Sequence, residues 1–178
     1  GGFSRPGALA AYAAGIFTMD TRSLSLFRVA LGSVLAGGVV IRWQDFLAHY
    51  TEAGLFPRAA MLLVWEDRTL WTLYSLSDHP AWAGFLLGMT LLCSLLFAVG
   101  WAWRPVGIGL WVLMVSLANR TPVVMNSGDA LLIFLLLWGL FLPLGRHFRI
   151  GGGAELSAQS VVGVGGAALV LQFIFLYT

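Results

Sequence analysis

The stretch Ala81–Trp103, AWAGFLLGMTLLCSLLFAVGWAW, runs for 23 residues without a charged side chain. About 20 apolar residues in a helix match the hydrocarbon core of a bilayer. The rest of the chain has the same character: of its 178 residues, 59% are hydrophobic and 10% charged, against roughly a quarter charged in a soluble domain. That composition excludes a disordered chain, a disulfide scaffold and most soluble enzymes, and predicts a polytopic membrane protein.

Working outward, Leu24–Ile41 is apolar apart from Arg28, and Leu156–Thr178 is uncharged with an apolar core from Val161. Pro105–Asn119 is shorter but can be extended by Trp101 and Trp103, and Ala130–Gly145 (ALLIFLLLWGLFLPLG) is the most hydrophobic stretch. Strands would need a closed barrel with an alternating pattern, which is absent. The expected fold is therefore an all-α integral membrane protein, a bundle of about five transmembrane helices plus an interfacial amphipathic helix. The expected spans are about 24–42, 81–102, 103–119, 129–145 and 160–178. The interfacial helix, at about 58–76, follows from the helical spacing of Leu62, Trp65, Leu70, Leu73 and Leu76, with Trp65, Trp71 and Tyr74 at headgroup level. Residues 1–23 are too short and too weakly apolar to span; they are expected as an interfacial segment, with a signal peptide as the alternative.

Local chemistry sets the helix ends. Ser127 or Asn126 can cap the fourth span, and Asp129 in its first turn suits the positive end of the helix dipole. Pro143 and Gly145 are expected to end it, and Pro105 fits a first turn. Arg5, Arg22, Arg104, Arg146 and Arg149 fall on the N-terminal side of a five-span topology, against Arg42, Arg58, Arg68 and Arg120 opposite. That narrow excess places the N-terminus in the cytoplasm.

Function classes narrow further. All ten basic residues are Arg, and a net charge of +2 is no nucleic-acid footprint. A single cysteine, Cys93, forms no intrachain disulfide, the three His give no metal spacing, and no CxxC, HExxH, Walker A or GxSxG motif occurs. No metal and no cofactor are evident from the residues themselves.

Polar residues inside apolar runs carry the functional signal. Arg28 sits one turn inside the first span, where a central charge costs about 2.5–3.5 kcal/mol; it can snorkel to headgroups, pair with Asp129, or hold a ligand. The segment Asn119–Asp129 (NRTPVVMNSGD) brings Asn119, Arg120, Asn126 and Asp129 between two spans, either as a capped interhelical turn or as the polar wall of a membrane cavity. His49, Tyr50 and Glu52 form a third cluster, in the long loop, where a lone His is more often structural than a ligand.

DTRSLSLFRVALG (20–32), HYTEAGLFPR (49–58), WTLYSL (71–76), ANRTPVVMNSGDALL (118–132) and LWGLFLPLG (137–145), in that order, resemble the HTTM family, the membrane-domain superfamily that includes vitamin K-dependent gamma-carboxylase. The resemblance covers about residues 20–178 and implies a multi-spanning helical protein of bacterial type. It places Arg28, His49, Glu52, Gly54, Pro57, Asn119, Arg120, Asn126 and Asp129 at recurrent positions. Eukaryotic gamma-carboxylases oxidise a reduced quinone with oxygen, and the strong base so formed takes a proton from glutamate before carbon dioxide adds. That chemistry relies on a lysine in the region matched by 118–127, where this chain has Arg120, a poor general base. The family pattern continues beyond a segment like LQFIFLYT, so the domain is expected to run past Thr178.

Two functions follow as expectations. The first is a protein of a bacterial cytoplasmic membrane, of open catalytic status, holding a quinone or lipid-like ligand in a membrane cavity. The second is a non-catalytic membrane subunit or scaffold, whose partners are the lipid bilayer and other membrane subunits. A transporter is disfavoured by the few spans and the absence of an inverted repeat.

Overall fold

The computed structural model describes residues 18–51, 54, 57, 71–120, 126–142, 144–145 and 160–162. A short strand, β1 (Thr18–Asp20), leads into α1 (Thr21–Gln44) and α2 (Phe46–Tyr50). A 3-10 turn at Leu73–Leu76 precedes α3 (Pro80–Val99), α4 (Trp103–Arg120), α5 (Ser127–Gly139) and a second strand, β2 (Ser160–Val162).

Four helices form one antiparallel bundle. α1 and α3 pack against each other, α3 packs on α4, α4 on α5, and α5 returns to α1. Gly32 of α1 faces Ala98 near one end of the bundle, and Gly88 of α3 faces Trp43 near the other. At Gly32 the approach is so close that a Cβ would lie 2.8 Å from the Ala98 Cβ and 2.9 Å from its Cα. Small residues let two backbones meet this way.

Helix ends follow their local sequences. Pro80 opens α3 behind His79, whose side chain accepts from the Ala81 N–H. Gly100 closes α3 with φ 81°, its N–H donating to the Leu96 and Phe97 carbonyls while Trp101 N–H also reaches Leu96. The span expected at 81–102 therefore stops at Val99. Asn126 caps α5, as its sequence suggests, but α5 ends at Gly139 rather than running to Gly145. The Phe141 and Leu142 N–H groups bond three residues back, to Trp138 and Gly139, so the last turn tightens and the helix stops.

Length separates the four helices. At 1.5 Å per residue, α1 (24 residues) and α3 (20 residues) extend about 36 and 30 Å. α4 (18 residues) extends about 27 Å and α5 (13 residues) about 20 Å. Two helices among the described residues, Arg22–Gln44 and Pro80–Val99, are long and apolar enough to cross a membrane. Of the expected interfacial helix, residues 58–70 lie outside the described residues, and 73–76 form a 3-10 turn rather than the end of an α-helix. Ser160–Val162, expected as the start of a fifth span, is instead extended and antiparallel to Thr18–Asp20, with Met19 opposite Val161. β-branched Thr18, Val161 and Val162 suit that ladder. Residues 163–178 and 1–17 lie outside the described residues.

The core is mainly apolar, but it also buries polar side chains, and many large apolar ones are exposed. On α1, Leu24, Arg28, Leu31, Leu35 and Val39 recur at helical spacing and are buried, while Leu26, Val34, Val40 and Ile41 are exposed. On α3, Thr90 and Ser94 are fully buried and donate to the Leu86 and Thr90 carbonyls at 2.7 Å, while Phe85, Leu92 and Leu95 point outward. Ser25, Ser116 and Arg120 are buried as well. Buried polar groups thus sit beside a mainly apolar core, with large apolar side chains also on the outside.

The helix contact at Gly32 gives a direct check. Gly32→Val places side-chain atoms against Ala98 backbone and should cost about 1–3 kcal/mol, seen as a lower thermal unfolding midpoint. Gly109→Ala, where a Cβ meets open space, should leave the midpoint unchanged or slightly raised.

Candidate functional site

The bundle holds charge at both ends. At the first end, Arg28 is completely buried, and its Nη1 donates to the Leu144 carbonyl at 2.8 Å. Its guanidinium lies against Gly100, where a Cβ would come within 2.5 Å of the guanidinium carbon. Glycine there serves both the left-handed helix end and the room Arg28 occupies. Arg28 thus neither snorkels outward nor pairs with Asp129. One side chain of α1 instead ties the α3–α4 turn to the segment after α5.

The partner of Asp129 is Arg42, the last basic residue of α1. Their side chains keep 20% and 10% exposure, respectively, so the pair is largely withdrawn from water. Asp129 also completes a capping box: its backbone N–H donates to Asn126 Oδ1 at 2.9 Å, and the Asn126 N–H reaches Asp129 Oδ2 at 3.4 Å. The carboxylate is held by α1 and by the start of its own helix together. Sequence spacing singled out Asp129 but treated Arg42 as a loop-side charge. Only the antiparallel packing of α1 on α5 brings the two together.

Beside this pair, the 71–76 segment is laced onto α4. Thr72 Oγ1 donates to the Ser116 carbonyl at 2.8 Å, and the Leu73 N–H donates to Ser116 Oγ at 2.7 Å. Asn119 Nδ2 donates to the Trp71 carbonyl at 2.8 Å, and Trp82 Nε1 to the Leu73 carbonyl at 2.9 Å. These bonds hold Tyr74 inward, buried, with its ring 6.1 Å from that of buried Tyr50. Burial holds the Tyr74 phenol well above its ordinary range; Tyr50 adds to the effect, while Arg120 and Arg42 oppose it. Both guanidinium groups are therefore close enough to act on Tyr74 electrostatically.

Of the residues expected together, Asn126 and Asp129 are joined directly. Arg120 is buried, 3% exposed, and lies near Tyr74. Asn119 turns to Trp71 instead. In the loop cluster, His49 touches Tyr50 edge-on at 6.3 Å between ring centroids, and Glu52 lies outside the described residues. Arg42, Tyr74, Thr72 and Ser116 were missed as site residues. The available signal was a hydroxyl, Ser116, inside an apolar helix, together with two aromatic positions, 71 and 74, three apart.

No group of three or more His, Cys, Asp or Glu suited to a metal ion occurs among the described residues. An open, apolar groove of about 420 Å³ is lined by Val40, Trp43 and Gln44 of α1 and Gly88 and Leu91 of α3. The polar cluster can donate hydrogen bonds from guanidinium and phenol groups and can hold an oxygen-rich group. With Arg rather than Lys at 120, it offers no amine to serve as a base. The chain matches no family model, no curated protein and no solved structure.

The ion pair is testable by a double-mutant cycle. Asp129→Asn and Arg42→Gln should each destabilise the fold by about 2–4 kcal/mol, the lower part of the range for a buried pair because both side chains keep some solvent contact. The double variant should lose clearly less than the two losses added. Additive losses in chemical denaturation would remove the coupling.

Proposed function

We propose that this chain is an HTTM-like membrane domain of a bacterial cytoplasmic membrane, a bundle of about five spanning helices whose polar end holds the headgroup of a quinone or lipid-like ligand. The membrane part is supported by two helices of crossing length and by exposed Leu, Val, Ile and Phe side chains outside a core that buries Arg28 and Arg120. In a bilayer, the outward apolar faces meet acyl chains, and every polar side chain must find its partner inside. After the strand at Ser160–Val162, residues 163–178 carry no charge in the sequence.

The observation that carries the ligand reading is the cluster of Arg42, Asp129, Arg120, Tyr50 and Tyr74 at one end of an otherwise apolar bundle. Guanidinium and phenol donors suit carbonyl, phenolate or phosphate oxygens. The Arg42–Asp129 pair keeps the guanidinium fixed in direction, so a ligand oxygen meets preset donors. The arrangement binds and orients; it supplies no general base, and proton abstraction by this domain is not part of the proposal.

Purification from the native membrane, with quinone and lipid extraction and mass spectrometry of co-purifying subunits, tests this. About one quinone or one specific lipid per chain is expected. Arg120→Met should reduce its retention by about tenfold or more, the scale of one charge-assisted hydrogen bond. Arg28→Met, at the opposite end, should lower thermal stability yet leave the ligand per folded chain unchanged. A ligand-free protein bound to a fixed set of membrane subunits would overturn this reading in favour of the non-catalytic subunit.

A further inference from the structure

The Tyr74 hydroxyl is fully buried and makes no hydrogen bond among the described residues. A phenol can donate one hydrogen bond and accept others. A buried polar group without a partner is rare in a folded protein and calls for a specific cause. Loose placement is not the cause here. The Thr72 side chain accepts from the Tyr74 backbone N–H, and the neighbouring Leu73 is bound to Ser116 and Trp82. The ring also packs against Tyr50. The fold holds a hydrogen-bond donor rigidly inside the polar cluster without using it.

We infer that the Tyr74 hydroxyl is a ligand-positioning donor, reserved for an acceptor oxygen of a bound membrane-soluble molecule whose head lies beside Arg42 and Arg120. This deepens the ligand reading above and rests on it. The chemistry required is an oxygen that is negative or readily polarised. Such an oxygen comes from the carbonyl of a quinone or from the phosphate of a lipid headgroup. Neutral and buried, the phenol donates without competing for the proton, and its ring lies 6.1 Å from that of Tyr50, tilted by 38°.

The test is Tyr74→Phe in the full chain, reconstituted in nanodiscs and probed with the short-chain naphthoquinone menadione and with phosphatidylglycerol replacing phosphatidylcholine. A donor unused by the protein predicts an unligated melting temperature equal to or above that of the unsubstituted chain. It also predicts binding weakened by about tenfold, the scale of one hydrogen bond. Weakened menadione binding identifies a quinone oxygen; loss of a phosphatidylglycerol preference alone identifies a headgroup phosphate. A lower melting temperature with both affinities unchanged would show that the hydroxyl serves the protein or a bound water, and would overturn the inference while leaving the ligand reading intact. If the unsubstituted chain binds neither probe, the ligand reading falls and this inference with it. Should the variant fail to fold, 13Cζ-labelled tyrosine in the unsubstituted chain reads the same contact: a Tyr74 resonance shifted by either probe supports the role, and an unmoved resonance refutes it.

Discussion

Arg28 carries the constraint on which the bundle depends. A guanidinium inside an apolar helix must be satisfied within the protein, because outward it meets only side chains such as Leu26 and Val34. The bond to the Leu144 carbonyl supplies one partner, and the space left by Gly100 supplies the room. Both lie where chain segments reverse, so a single side chain fixes how α1, the α3–α4 turn and the segment after α5 sit at one end. Arg42 with Asp129 does the same work at the other end, about 21 Å along α1 at 1.5 Å per residue. Between the two ends, Gly32 meets Ala98, and Leu35 and Val39 are buried in the core.

Much of this was legible in the sequence, and the misses share one cause. Apolar runs locate α1, α3 and α4 because apolar length is a local property. Asn126 and Asp129 announce the start of α5 because a capping box is local too. The expected Arg28–Asp129 pair failed because ion-pair partners depend on the register between helices, to which no local pattern refers. In an antiparallel packing of α1 on α5, Asp129 at the start of α5 meets the end of α1, and that position belongs to Arg42. Arg28, 14 residues earlier, meets the far end of α5. The spans expected at 81–102 and 129–145 ran too long for local reasons instead. Gly100 turns α3 despite apolar residues on either side, and the tightened bonds after Gly139 stop α5 before its hydrophobicity runs out.

The short α5 bears on the site. A helix about 20 Å long cannot match α1 at both ends. Its end is therefore followed by the non-helical segment that Arg28 holds, while its start is aligned with Arg42. Backbone that leaves a helix among apolar neighbours has carbonyls to satisfy, and Leu144 shows how this is done. At the other end, the start of α5 exposes N–H groups; Asn126 accepts from that of Asp129, and Asp129 accepts in return from the Asn126 N–H. The capping box thus satisfies the Asp129 N–H and leaves those of Ser127 and Gly128 outside it, while the polar cluster itself is built of side chains.

That distinction separates binding from proton chemistry. A base must give up and regain a proton near neutral pH, and neither arginine nor a buried phenol does so. Arginine keeps its proton throughout the ordinary pH range. Tyr74 is pushed further from ionisation by burial, even with Arg42 and Arg120 nearby. The cluster is therefore permanently a set of donors fixed against one carboxylate. Such a set would stabilise negative charge on an oxygen placed beside it. If a reaction occurs at this end of the bundle, its proton acceptor must come from the ligand or from residues outside the cluster, because the groups assembled here are all on the donating side except Asp129, and Asp129 is held by Arg42.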